Sequence, residues 1–207
     1  KDSLAVLKKT EALKEGHFIL SSGLHSSKYI QCAKLLSHPN IAKSLCISLA
    51  SKIKKQFKKI DIILSPAIGG IVIGYEIGRI LNIETIFCER VDGKFNLRRG
   101  FSIKPKSKVL IIEDVITTGK SSMECVKLIK NSKALIIGFA CIIDRSNNDE
   151  LVIKDKIVSQ VKIQIETFSN PVTEFIHSSE FPSCIYMENW EWQFAGPKRF
   201  SRQVQHH

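Results

Sequence analysis

Val109-Leu-Ile-Ile-Glu113-Asp114-Val-Ile-Thr117-Thr118-Gly119-Lys120-Ser121 is the stretch on which the reading of this chain turns. Four apolar residues, Val109 to Ile112, read as a buried strand. They run into two adjacent acids, a turn rich in Thr and Gly, and a helix expected over Ser121 to Lys130. In a parallel sheet, ligands bind at the carboxyl ends of the strands, so Glu113 and Asp114 are expected at that edge. Thr117 to Ser121 places hydroxyls and backbone N–H groups at a helix N-terminus, which is the chemistry of a phosphate cradle.

Two plainer readings compete. Gly119-Lys120-Ser121 looks like the end of a Walker A loop, but that pattern needs a glycine five residues before Gly119, and Asp114 stands there. An acidic strand end followed by an ordinary N-capped helix leaves the acid pair and the Thr-Thr-Gly turn without a purpose.

Outward from this segment, strands and helices alternate. Ile41, Leu45, Leu49, Ile53 and Phe57 recur every four residues and predict an amphipathic helix. Ile60 to Leu64 is a short β-branched run broken by Pro66 and Gly69–Gly70, after which Ile71, Val72, Tyr75, Ile80 and Leu81 suit a helix. Glu84 to Cys88 reads as a strand, Glu89 to Gly100 as a polar loop, and Ala134 to Ile143 as a further strand. Such alternation implies an α/β fold: a mostly parallel central sheet, right-handed crossovers and flanking helices.

The ends are less regular. Lys1 to Lys34 has a helix-like start and then turns at Gly16 and Gly23. Val161, Ile163 and Ile165 alternate with polar residues as in a half-exposed strand, and Phe175 and Ile176 suit a short helix after Pro171. Ser183 to Phe194 carries both tryptophans and has no assignment. The expectation is a single domain over residues 1–207, with 1–40 and parts of 150–207 forming a cap, or hood, and a tail.

Composition sets the outer bounds. With 207 residues, 43% apolar and 25% charged, the chain suits a soluble globular domain and not a disordered or fibrous one. Its longest apolar run, Ala134 to Ile143, is too short to span a bilayer, so no membrane partner is expected. Lys8, Lys9, Glu11, Lys14 and Glu15 interrupt any apolar leader, so no secretory signal is expected. The six cysteines include no CxxC pair and read as core thiols of a reducing cytoplasm, not as zinc ligands or a disulfide framework. The net charge of +11 favours an anionic partner or a Lys-rich solvated surface, as in the cluster Lys52, Lys54, Lys55, Lys58 and Lys59.

The segment around Glu113 resembles the phosphoribosyl-pyrophosphate (PRPP) signature of type I phosphoribosyltransferases. The resemblance implies that Glu113 and Asp114 hold the ribose hydroxyls and that Thr117, Thr118, Gly119, Lys120 and Ser121 take the 5′-phosphate. Val115 and Ile116 complete the PRPP-binding run. A carboxylate pair suits a diol, and its charge suits a ribosyl cation forming nearby.

Further stretches resemble orotate phosphoribosyltransferases, particularly a bacterial branch. They are Glu15-Gly-His-Phe-Ile-Leu-Ser-Ser-Gly23, Ser27-Lys-Tyr-Ile-Gln31, Ser65-Pro-Ala-Ile-Gly-Gly70, Glu89-Arg-Val-Asp-Gly-Lys94, Leu97-Arg-Arg-Gly-Phe101 and Asp144-Arg145. By this resemblance Ala67, Ile68, Gly69 and Gly70 form a pyrophosphate loop. Arg90 and Lys94 lie on a mobile loop and act with Asp114 in catalysis, and Arg145 and Thr117 meet orotate. Arg98 and Arg99 have two readings, further cations of that loop or the structural start of a hood strand. His17 and His25 likewise either line the site or sit on the solvated surface.

Ser21, Ile68-Gly69, Val91 and Asn96 depart from the better-known members, which leaves open the cation that assists pyrophosphate departure. The implied reaction joins orotate and PRPP in a homodimer, with Mg²⁺ held mainly through PRPP and water and by no protein ligand. The alternatives are a purine-base phosphoribosyltransferase, or a PRPP-sensing regulator that binds nucleic acid. No segment before Ile41 is long enough for a DNA-binding domain, so no nucleic-acid partner is expected.

Overall fold

The computed structural model describes residues 3–19, 25–146, 151–168, 184–188 and 191–195. In chain order these form α1 (Ser3–Lys9), β1 (Leu13–Ile19), β2 (His25–Ile30), α2 (Cys32–Leu36), α3 (Pro39–Gln56), β3 (Ile62–Pro66), α4 (Gly69–Leu81) and β4 (Thr85–Val91). There follow β5 (Lys94–Leu97), β6 (Lys108–Ile116), α5 (Lys120–Asn131), β7 (Leu135–Asp144), β8 (Ile157–Lys162), β9 (Thr167–Phe168), β10 (Cys184–Glu188) and β11 (Glu191–Ala195). They fall into two compact units, Lys1–Ala12 with Gln31–Gln164, and Leu13–Ile30 with Ile165–His207.

The larger unit holds a six-stranded sheet in the order β5-β4-β3-β6-β7-β8. All neighbours pair in parallel except β4 and β5. The centre of this sheet is dry. Ile63, Leu64, Val109 to Ile112 and Phe139 to Ile143 are all fully buried, as expected of strands covered on both faces. Leu64, Ile111, Phe139 and Cys141 pack with Cys125, Val126 and Ile129 of α5 in one cluster. Among the described residues no helix is long and apolar enough to cross a membrane.

Two helices bury a different stripe from the one their large apolar residues suggest. In α3 the buried face is Ala42, Cys46, Leu49, Ala50 and Ile53, while Ile41 and Leu45 are half-buried. A strict step of four overshoots the 3.6-residue turn by about 40° each time, so the true stripe mixes steps of three and four. In α4 the buried face is Gly70, Ile73, Gly74, Ile77 and Gly78, and Val72 and Tyr75 are exposed. The glycines let α4 lie directly on the sheet. A Cβ at Gly74 would come 2.1 Å from Ser65 Oγ, and one at Gly78 would come 2.0 Å from Thr85 Oγ1.

Other expectations are corrected. The stretch expected as a polar loop, Glu89 to Gly100, is mostly a β-hairpin. β4 runs on to Val91, which pairs with Lys94 across a two-residue turn. Asp92 and Gly93 take positive φ, 50° and 76°, the backbone a tight hairpin turn with matching twist requires. Gly16 marks a register shift within β1, between Glu15 and Phe18, and not a turn. The strand expected around Val161, Ile163 and Ile165 is β8, an edge strand that ends at Lys162.

The smaller unit is a five-stranded sheet in the order β11-β10-β1-β2-β9. The stretch left unassigned in the sequence supplies β10 and β11, an antiparallel pair in which Met187 faces Trp192. Gly23, Phe175 and Ile176 lie outside the described residues. The glycine contacts of α4 carry a prediction. Gly74→Val forces the helix off Ser65 and lowers stability by about 1–3 kcal/mol, measured as a fall in the urea midpoint without a change in slope.

Candidate active site

β6 is longer than its neighbour β3, and this builds the site. On the β3 side the ladder ends with Leu64 facing Ile111, whereas on the β7 side it continues until Ile116 faces Asp144. Glu113 and Asp114 therefore lie inside β6 and not at its tip, but past the last pair with β3. Glu113 is buried and accepts a hydrogen bond from Ser122 Oγ on α5. Burial pushes its carboxyl up to about 7, the Ser122 hydroxyl opposes that rise, and the charges of Asp114 and Glu124 add to it. Asp114 is half-buried. Its Oδ1 accepts the Val115 N–H at 2.9 Å, and burial raises its carboxyl above the usual range.

The loop after β3 comes to this carboxylate. A Cβ at Gly69 would lie 2.5 Å from Asp114 Oδ2, and one at Gly70 would lie 3.0 Å from the Ile112 carbonyl oxygen. Ala67 donates its N–H to the Cys88 carbonyl at 2.8 Å, which ties the loop to β4, and Ile68 is exposed. Ala67, Ile68, Gly69 and Gly70 thus stand beside Asp114, and the two glycines allow the close approach.

Beyond Ile116 the chain makes the Thr117–Ser121 turn. Gly119 caps α5 with φ of 76°, and a side chain there would also strike Ile153, whose Cγ1 would be 2.6 Å away. Thr117 and Lys120 are exposed. Val152 donates to the Thr118 carbonyl at 3.0 Å, so residues 151–153 back the turn. That support has no motif in the sequence; its trace is the apolar run Leu151-Val-Ile.

Arg145 arrives beside Thr117, since its N–H donates to the Ile116 carbonyl at 2.8 Å. Asp144 closes the bend behind it by accepting the Ser146 N–H at 2.8 Å and the Ser146 hydroxyl at 2.6 Å.

The cations of the hairpin are placed unevenly. Arg90 pairs with Glu124 of α5 through both guanidinium branches, at 2.9 and 3.0 Å, donates to the Gly93 carbonyl at 2.7 Å, and covers the Phe95 ring at 4.1 Å. This brings Arg90 onto the helix that carries the Thr117–Ser121 turn. Lys94 stands exposed at the hairpin turn. Arg98 and Arg99 both face Glu89, the former at 3.8 Å, and the Arg99 guanidinium holds the Glu89 carboxyl below the usual range. In the smaller unit His17 and His25 pair with each other, Nε2 to Nδ1 at 2.6 Å, with rings stacked at 4.9 Å. Sequence reasoning missed Ser122 and Glu124, which lie just past the turn on α5.

Residues 32–174 match the phosphoribosyl transferase domain family. An orotate phosphoribosyltransferase of Chlorobium phaeobacteroides is 54% identical over 144 residues, 70% of this chain and 74% of that protein. One from Caldicellulosiruptor bescii is 44% identical over 165 residues, 80% of this chain and 85% of the relative. The chain belongs to the orotate phosphoribosyltransferase family. The orotate phosphoribosyltransferase of Aeropyrum pernix shares the fold, with a TM-score of 0.66 at 23% identity over 77% of this chain and 92% of that one.

The arrangement suits phosphoribosyl transfer. An acid pair, a helix N-terminus with hydroxyls, a glycine loop and the backbone of Arg145 lie where β3, β6 and β7 run out. Among the described residues no group of three or more His, Cys, Asp or Glu side chains is placed to hold a metal ion. The closeness of Gly69 to Asp114 gives a test. Gly69→Ala pushes the carboxylate aside and lowers kcat/KM for PRPP by at least about tenfold, with a thermal midpoint close to wild type.

Proposed function

We propose that the chain transfers the 5-phosphoribosyl group of PRPP to N1 of orotate, giving orotidine 5′-monophosphate and pyrophosphate in pyrimidine biosynthesis. One observation carries this reading: the acid pair of β6 opens directly onto the Gly119 turn of α5, in a chain that belongs to the orotate phosphoribosyltransferase family. The C1–pyrophosphate bond breaks as the N1–C1 bond forms, with inversion at C1, and the N1 proton of orotate passes to solvent or to the departing pyrophosphate.

The roles follow from chemistry and position. Glu113 and Asp114 accept the ribose hydroxyls, and their charge stabilises the cation developing at C1. The backbone of Val115 and Ile116 leads into the turn, where Thr117 to Ser121 receive the 5′-phosphate at the α5 N-terminus. Ala67 to Gly70 take the pyrophosphate. Arg90 and Lys94 supply cations for its departure, and Arg90 exchanges its bond to Glu124 for the leaving group. Arg145 meets the orotate carboxylate with a planar guanidinium, beside Thr117.

The donor set fits Mg²⁺ carried on the substrate. The hard phosphate oxygens of PRPP suit its preference for oxygen and retained water, without a protein cage. When bound, Mg²⁺ neutralises charge on the pyrophosphate as it leaves. Among the described residues five cysteines are free and buried, with the Cys88 and Cys125 sulfurs 3.4 Å apart, which suits a reducing cytoplasm.

A homodimer is supported by α4. Val72 and Tyr75 are 54% and 68% exposed, and they flank an apolar cavity of about 330 Å³ with Ile71, Ile86 and Phe87. A surface of that kind suits a second copy of the chain. Light scattering should give twice the protomer mass of 23.3 kDa, and Tyr75→Glu should give the single mass.

The decisive assay follows orotate absorbance with PRPP and Mg²⁺, with adenine, hypoxanthine, guanine and uracil in parallel. Orotate alone should be consumed, and only with both PRPP and Mg²⁺. Arg145→Ala should raise the KM for orotate at least about tenfold and leave that for PRPP near wild type. Turnover of a purine in place of orotate would overturn the orotate assignment.

A further inference from the structure

The two acids of β6 are held by different means. Asp114 is steadied by its own strand, through the Val115 N–H, and by its contact with Gly69. Glu113 is longer by one methylene and more deeply buried, and the hydroxyl that meets it comes from another element, Ser122 of α5. Ser122 is itself 0% exposed. It is the third residue of α5, so it sits in the same helical turn whose N-terminus carries Gly119, Lys120 and Ser121.

We infer that Ser122 is a positioning residue for phosphoribosyl transfer: its buried hydroxyl anchors Oε1 of Glu113 and so aims the second carboxylate oxygen at a ribose hydroxyl of PRPP. The inference rests on the reading of Glu113 as a ribose-hydroxyl acceptor. It makes one short helical turn set two distances at once, that from phosphate to turn and that from ribose to acid. A free carboxylate on a two-methylene stem would sample several rotamers, and ordering it would be charged against substrate binding.

The surroundings make this hydroxyl matter. The titratable groups facing Glu113 are Asp114 on its own strand, Glu124 and Cys125 on α5, and Cys141 on β7. β3 brings no titratable residue. The nearby cation Arg90 is engaged by Glu124. A neutral hydroxyl donor is therefore what favours the Glu113 carboxylate over its acid form, against burial and against like charge. Below about 7 Glu113 is protonated and cannot accept from Ser122 and a ribose hydroxyl in the same way, so PRPP use falls on the acid side. Loss of the Ser122 hydroxyl moves that fall to higher pH.

The test measures kcat and KM for both substrates from about pH 5.5 to about pH 9 in Ser122→Ala, Ser122→Cys and Ser122→Thr. Alanine and cysteine remove a good donor, and cysteine keeps the volume should alanine fail to fold; threonine keeps the hydroxyl. In the first two, the acid limb of kcat/KM for PRPP should rise by about one pH unit, which is about a tenfold loss on that limb, and a smaller loss of about threefold should remain at high pH, where Glu113 is ionised but unanchored. KM for orotate should stay within about twofold, and Ser122→Thr should keep the wild-type limb. An unmoved limb in the folded alanine or cysteine variant overturns the inference, as does an equal loss for both substrates at every pH. Glu113→Gln separates the two layers. If it abolishes PRPP saturation while Ser122→Ala behaves as wild type, only the positioning role falls. If Glu113→Gln keeps the wild-type KM for PRPP, the ribose reading of Glu113 falls and the role of Ser122 with it.

Discussion

Everything in the larger unit that looks toward the site depends on β6 outrunning β3. The β3 ladder stops at Ile111, and the β7 ladder continues to Ile116. The residues in between are fixed on one side by backbone hydrogen bonds and released on the other. A strand in that position can bury an acid and still offer its carboxylate to a ligand. The vacated flank is taken by the loop after β3, which must then be glycine where it passes Asp114. The β7 extension delivers Arg145 alongside Thr117, so the group read as a base ligand and the turn read as a phosphate cradle share one backbone hydrogen bond.

Electrostatics at this sheet edge are arranged by pairing and by burial. Glu113, Asp114 and Glu124 form an acidic group, and the cation that approaches it, Arg90, is tied to the outermost member. Among the described residues no cation is paired with the inner acids, Glu113 and Asp114. The Arg90–Glu124 pair also gives the hairpin a resting place on α5. Glu89 does the same for Arg98 and Arg99, which are therefore structural in this conformation. Of the two readings open for that pair, the ion pairs favour the structural one.

The smaller helix-packing choices serve the same end. α4 uses glycine at 70, 74 and 78 to lie close to β3 and β4, which leaves its larger apolar residues on the far side. Closeness to the sheet brings the start of α4 beside Asp114, and the displaced Val72 and Tyr75 form an apolar outer surface. One packing decision thus sets both the inner and the outer face of the helix.

Much of this protein was readable in the chain by itself. Continuous β-branched runs can only be central strands, so the parallel sheet was legible. Glu113-Asp114 followed by Thr117–Ser121 is local chemistry in consecutive residues, so a candidate site there could be proposed without tertiary knowledge. The hairpin at Asp92-Gly93 was missed, because the polar residues around that turn dipeptide read as a loop and its strand pairing is made only in the fold. Tertiary structure decided what depends on neighbours distant in sequence. The buried face of α4 is set by glycines whose value lies in an absent Cβ, which hydrophobic periodicity cannot register. Strand ends are set by the partner's length, so the acids lie within β6 although the apolar run stops at Ile112. Ser122, Glu124 and Ile153 carry no motif of their own; each matters through one residue it touches, and only the folded chain brings them together.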